Sequence, residues 1–309
     1  DVIFFDGRGG PPARGGGKTH KFYASMGNDI ACKQIQLTIQ GQTVSSNFGN
    51  IHAARFNIEQ LINAGITNQL FNQKPVTFKE DGETVFQMLA ENSLKHYLDL
   101  KEHPDFMDYL LHISPLRFYS DTNISSRPSK RSSSDKIQLK DLRAIPFVGA
   151  WSQLKQNIPG FYGVGTALKF MKDNGHWNEV KLLYKQSSFF KTVIDNCMMS
   201  MSKADFRVTA YLEHDQMFGT FWKLLKAEYD LTEVLVLNLT DTKVLMEKYP
   251  VEKESISLRE KITLPLVIIQ RYGIIRSLDP NISEEQKAVY DKLILRTLYG
   301  IVNAARNSA

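Results

Sequence analysis

Val2-Ile3-Phe4-Phe5-Asp6-Gly7-Arg8-Gly9-Gly10-Pro11-Pro12-Ala13-Arg14-Gly15-Gly16-Gly17-Lys18-Thr19-His20 opens the chain with an apolar run that leads straight into a glycine-rich, basic loop. The apolar residues read as a short buried strand. The six glycines that follow leave the backbone free to take positive φ and to expose N–H groups. Arg8, Arg14 and Lys18 add charge-assisted donors for phosphate or carboxylate oxygens. The combination reads as an oxyanion cradle entered from a strand, because a flexible linker would favour serine over paired arginines. A Walker A motif is excluded, since the glycine it needs at position 12 is Pro12. A dinucleotide fingerprint is excluded by the missing GxGxxG spacing and ribose-binding acid.

Working outward, Ile35, Leu37 and Ile39 alternate with Gln36, Thr38 and Gln40 at the period of a half-buried strand that Gly41 closes. From about residue 50 the period becomes helical. Ala54, Ile58 and Leu61 form one stripe, with Gly65 placed as a C-terminal stop, and Phe86, Ala90, Leu94, Tyr97 and Leu98 form another. Ser120–Lys140 is polar and aperiodic, an exposed loop. Leu142–Phe147 reads as a short extended piece, followed by Trp151 and a helix interrupted by Pro159 and Gly160. Residues 165–300 read as long helices, with Val234–Leu237 ambiguous between helix and strand. Ser283-Glu284-Glu285-Gln286 fits a capping box, predicting a last helix to about Ala305. The expected fold is mainly helical with a few strands near the start, and no internal repeat is present.

With 309 residues, 42% hydrophobic and 23% charged, the chain has the composition of a globular protein. Only Cys32 and Cys197 are present, outside any CxxC pattern, so neither a disulfide framework nor structural zinc is suggested and a reducing cytoplasm fits. No apolar run is long enough to span a bilayer and no signal peptide is visible, so no membrane partner is expected. Asp1 standing on an apolar run, rather than a methionine with a polar lead-in, suggests a segment cut from something longer. The net charge of +5 and pI of about 9.0 permit acidic partners. Nucleic acid is not expected, because the cations concentrate in two short loops rather than along one face.

The second of these loops holds Arg127, Lys130 and Arg131, with Arg143 beyond it. On charge alone it reads as a solvated face. None of the seven histidines has metal-ligand spacing, so no metal is assigned to this chain. No GxSxG elbow or reactive-cysteine motif occurs. Glu284 and Glu285 belong to a helix start, where they favour the dipole.

Taken in order, these residues resemble the carboxy-terminal part of phosphoenolpyruvate carboxylases. Phe5–Gly10 with Arg14–Gly17 and Thr19-His20 is similar to that family's FHGRGG…GRGGGPTH loop, and Gln40-Gly41 to its VTxQGE strand. Ser126–Arg131 is similar to SRPAKR, Leu142–Phe147 to LRAIPW, and Ala150–Gln153 to AWTQ. Ser202–Asp205, Leu258-Arg259 with Pro265-Leu266, and Arg306-Asn307 complete the series, which spans the whole chain.

The resemblance implies an enzyme joining phosphoenolpyruvate and bicarbonate into oxaloacetate and phosphate with magnesium or manganese. It implies the carboxy-terminal part of a β/α (TIM-type) barrel embedded in a helical protein, with the barrel's end in residues 1–150 and a helical region with the inhibitor site in 151–309. Arg8 and Arg14, with Gly9, Gly10, Gly15 and Gly16, would hold phosphate and carboxyphosphate, and Arg127 and Arg143 the substrate anions. Both intermediates, carboxyphosphate and an enolate, are anionic and water-sensitive, so a closed site with preorganised cations is what the chemistry needs. The second basic loop thereby changes from a solvated face to a substrate loop. Lys203, Arg259, Asn307 and Arg14 match positions that bind aspartate or malate as inhibitor. A homo-tetramer is likewise implied.

The chain departs from the pattern at Asp6, where the family has histidine, at Pro11-Pro12-Ala13, at Val267, and at the terminal Ser308-Ala309. The resemblance implies that the family's metal-binding carboxylates, which would hold the magnesium or manganese, its catalytic lysine and its proton-transferring histidine lie upstream of Asp1, so the 309 residues alone are expected to be inactive. The alternative is a noncatalytic module that binds phosphate or dicarboxylates.

Overall fold

The computed structural model describes residues 19–25, 42–70, 80–122, 124 and 138–305. The expected strands at Val2–Phe5 and Ile35–Gln40 lie outside them, as does most of the serine-rich loop. Twelve α-helices occur among the described residues. They are α1 (Thr19–Ser25), α2 (Gln42–Phe48), α3 (Ile51–Leu70), α4 (Glu80–Glu102), α5 (Phe106–Ile113), α6 (Ala144–Gln153), α7 (Val164–Asp173), α8 (Trp177–Gln186), α9 (Ser188–Ser202), α10 (Gly219–Thr240), α11 (Pro250–Ser277) and α12 (Glu284–Ala305). Short 3-10 turns lie at Leu116–Asp121, Leu139–Asp141, Ile158–Gly160 and Phe206–His214. No strand occurs among the described residues, so the helical expectation holds and the barrel strands are not seen. No described helix is long and apolar enough to cross a membrane.

Several local expectations need correction. Val234–Leu237 is helical, because burial of Leu235 and Val236 inside α10 decides between two periods that a four-residue run cannot separate. Leu142–Phe147 is not extended throughout: Arg143 has extended backbone, and α6 begins at Ala144 with Pro146 in its first turn, where a missing N–H costs little. α3 continues through Gly65, which is buried, to Leu70. In α4 the buried line is Val85, Leu89 and Leu100, while Leu94 and Leu98 of the expected stripe are exposed.

The capping box forms as read. Ser283 N–H donates to Gln286 Oε1 at 3.0 Å, and Gln286 N–H donates to Ser283 Oγ at 3.2 Å. α12 then lies along α11, with Gly273 close to Ile294 and Gly300 close to Leu266, which makes the pair antiparallel.

The main core surrounds Trp151, Tyr109, Phe106 and Phe221, all fully buried. Offset and edge-on ring contacts link them, with Tyr109 5.0 Å from Phe221 and 6.1 Å from Trp151. A smaller cluster of Phe118, Tyr119, Ile274, Ile294 and Leu298 packs under α12. Buried carboxylate chemistry ties α7 to α10. Glu228 Oε1 accepts from the backbone N–H groups of Gly163 (3.0 Å) and Thr166 (3.1 Å), capping α7 from a neighbouring helix. Gly163 has φ +92° and its α-carbon faces the Ser93 carbonyl of α4, so no side chain fits there.

A chain of amides crosses between the two clusters. Gln270 Nε2 donates to Gln153 Oε1 at 2.7 Å, and Gln153 Nε2 donates to the Tyr119 hydroxyl at 3.2 Å. Gly149, one turn earlier on α6, leaves room for that hydroxyl: a Cβ there would stand 2.1 Å from Tyr119 Oη. Gly149→Ala is therefore expected to lower stability by about 1–3 kcal/mol. Urea unfolding measures it, and Tyr119→Phe in the same chain should recover part of the loss.

Candidate functional site

α6 carries a basic residue at each end. Arg143 is its N-cap, with φ −87° and ψ 157°. The guanidinium Nε of Arg143 is buried and has no hydrogen-bond partner. The same end presents the positive pole of the helix dipole, so anions are favoured there twice over.

Beyond the other end, Lys155 takes the left-handed conformation, φ 58°, that bulky residues adopt only when their surroundings hold them. Two contacts do so. Its buried ammonium bonds Glu260 Oε1 at 2.7 Å, and its carbonyl accepts from Asp205 N–H at 2.6 Å. α6 has ten residues; at 1.5 Å per residue it separates Arg143 from this region by roughly 15 Å.

Lys203, Arg259, Lys155 and Glu260 share one neighbourhood. Burial pushes the Lys203 ammonium down to about 8 from its ordinary 10.5, and the positive charges of Lys155 and Arg259 push the same way, against the pull of Glu260. Asp205, in the motif that carries Lys203, is clamped by Arg207 through Nε (2.8 Å) and Nη2 (2.7 Å), which lowers its pKa. Glu260 is thus paired with Lys155 and Asp205 with Arg207, while Lys203, Lys155 and Arg259 bring three positive charges to one neighbourhood.

The structure brings Lys203 and Arg259 close enough for their charges to interact, and α6 sets Arg143 apart from Lys155 in the same neighbourhood. Arg8, Gly9, Gly10, Arg14, Gly15, Gly16, Arg127 and Asn307 lie outside the described residues. Lys155 and Glu260 were not foreseen. Neither belongs to a recognisable spacing, and only the left-handed turn after α6 and the packing of α11 join them. Among the described residues no group of three or more His, Cys, Asp or Glu could hold a metal ion. Cys197 is buried, and burial pushes its thiol up to about 12, so it is no nucleophile.

A helical protein with buried and clustered cations is the class this geometry defines. The family model for phosphoenolpyruvate carboxylase matches residues 1–309. The phosphoenolpyruvate carboxylase of Prochlorococcus marinus (strain MIT 9301) is 31% identical over 330 residues, covering 98% of this chain and 33% of the relative. That of Corynebacterium glutamicum (strain ATCC 13032) is 31% identical over 314 residues, covering 98% and 34%. The chain belongs to the phosphoenolpyruvate carboxylase family and spans about a third of the length of these relatives.

The Lys203 environment predicts a pH dependence. Between about pH 8 and 10.5 the unfolded chain holds a proton on Lys203 that the folded chain has released. Stability should therefore rise with pH across that window relative to a Lys203→Met variant, by an amount of order 2 kcal/mol. Denaturant unfolding of both proteins at pH 7.5 and 10 measures the difference, and identical pH slopes would refute it.

Proposed function

We propose that this chain is the anion-binding and regulatory portion of a carboxy-lyase that converts phosphoenolpyruvate and bicarbonate into oxaloacetate and phosphate. The observation that carries the reading is Arg143: a buried guanidinium nitrogen without a partner, at the N-terminus of a helix, in the family's own motif. A donor in that setting is preorganised, so it stabilises developing negative charge with little reorganisation.

In this reading bicarbonate oxygen attacks the phosphoryl group, and the phosphorus–oxygen bond to the enol breaks to leave carboxyphosphate and an enolate. Carboxyphosphate releases carbon dioxide and phosphate, and the enolate carbon adds to the carbon dioxide. Arg143 and Arg127 hold the substrate anions, while Arg8 and Arg14 in the glycine loop hold phosphate and carboxyphosphate. Residues 1–150 are the end of a β/α barrel, and 151–309 the helical region beside it. The family's divalent metal, magnesium or manganese, would supply further neutralisation of the phosphate. The described residues offer no ligand set for it, so no step here depends on it.

The Lys203 and Arg259 neighbourhood is the dicarboxylate site, completed by Asn307 and Arg14. An aspartate or malate that binds there and holds Arg14 away from substrate favours an inactive population. A homo-tetramer in the cytoplasm is the expected setting. A noncatalytic dicarboxylate-binding module is the competing reading, which the clustering of Lys203 with Lys155 and Arg259 also supports.

Three measurements test the assignment. Arg143→Gln in the longer protein should lower kcat/KM roughly 10²–10³-fold, and activity within threefold of the parent would remove Arg143 from the reaction. Lys203→Met should relieve inhibition by malate without comparable loss of kcat. The 309 residues alone, with magnesium, bicarbonate and phosphoenolpyruvate, should form no oxaloacetate, and turnover would overturn the expectation of inactivity.

A further inference from the structure

Arg271 lies on the inward face of α11, 5% exposed, and no carboxylate pairs with it among the described residues. One nitrogen, Nη2, donates to the Tyr211 hydroxyl. The other two, Nε and Nη1, are buried without hydrogen-bond partners. A guanidinium stays charged at any ordinary pH, so burial does not remove its need for negative charge.

The surroundings are polar where a helix–helix core would be apolar. Thr263, Gln270 and Arg271 share the buried face of α11, being seven and eight residues apart from Thr263. Tyr109, close enough for the Arg271 charge to act on its ionisation, accepts a hydrogen bond from Gln156 Nε2 at 2.7 Å. Gln156 also donates to Thr209 Oγ1 at 3.1 Å, and Gln270 donates to Gln153. Each of these amide nitrogens already donates to protein. Their oxygens, Gln156 Oε1 and Gln270 Oε1, are buried and unpartnered, as is Thr263 Oγ1. The region therefore asks for acceptors at the guanidinium and for a donor at the amide oxygens.

We propose that Arg271 is the centre of an internal binding site for a small hydroxyl-bearing oxyanion, bicarbonate or hydrogen phosphate, between α11, the end of α6 and the Phe206–His214 turn. The anion's oxygens accept from Arg271 Nε–H and Nη1–H, and its hydroxyl donates to a glutamine oxygen. A halide would satisfy the charge and leave the amide oxygens unmet. The site is separate from the Lys203 and Arg259 neighbourhood, since twelve residues of α11 place Arg271 roughly 18 Å from Arg259. It does not rest on the proposed carboxylase reaction.

The test is a titration of the full chain, labelled with ¹⁵N-arginine, with sodium bicarbonate, phosphate or chloride at matched ionic strength. The Arg271 Nε–H resonance, identified by its loss in Arg271→Lys, should shift saturably with bicarbonate or phosphate and at least tenfold more weakly with chloride. Thermal stabilisation by the oxyanion should fall at least tenfold in apparent affinity in Arg271→Met. Should that variant fail to fold, the resonance shift in the unmodified chain still decides. An Arg271 signal unmoved by both oxyanions overturns the proposal, and an equal response to chloride overturns the assignment of a hydroxyl-bearing ligand.

Discussion

Buried amides must keep their hydrogen bonds, and around α6 that obligation holds the helical assembly together. Gln153 and Gln156 sit at the end of the helix with almost no exposure, and between them they reach Tyr119, Gln270, Tyr109 and Thr209. Those partners belong to four different segments. Leaving any one of these groups unpaired in an apolar interior would cost about 1–3 kcal/mol, so the network sets relative positions that hydrophobic contact alone would leave loose.

Function follows from what this network holds in place. Arg143 precedes α6 and Lys155 follows it, so the helix spaces two basic positions, and the left-handed turn at Lys155 passes the chain toward Asp205 and Glu260. α11 contributes Glu260 and Arg259 near one end and Gln270 and Arg271 toward the other. One helix, α11, thus carries Arg259 in one cationic neighbourhood and Arg271 in a second, separate setting. α1, which directly follows the glycine loop in sequence, rests on the start of α11, with Lys21 2.9 Å from Glu252 and 4.7 Å from the Tyr249 ring. A contact of that kind links the loop's neighbour to the helix that bears Arg259.

Much of the helical architecture was legible as period and punctuation. The capping box at Ser283 reports a local exchange of hydrogen bonds, and such local chemistry survives in any context. The stripe on α4 was legible only in part, because its helix buries a face set by α7 and α8 rather than by its own most apolar line. Arg143, Lys203 and Arg259 were legible through motifs shared with a family. Lys155, Glu260 and Arg271 were not, because each acquires meaning from a neighbour distant in the chain.

By itself the sequence determined the predominance of helix, the position of the last helix, the two basic loops and the family. Helical period, caps and motif order are properties of neighbouring residues, and no distant contact is needed to state them. Only the tertiary structure decided that Val234–Leu237 is helical, that Arg143 keeps a buried nitrogen unpartnered, and that burial beside other cations pushes the Lys203 ammonium down to about 8. Those outcomes depend on exclusion of water and on charges brought together from separate helices, quantities that exist only once the chain has packed.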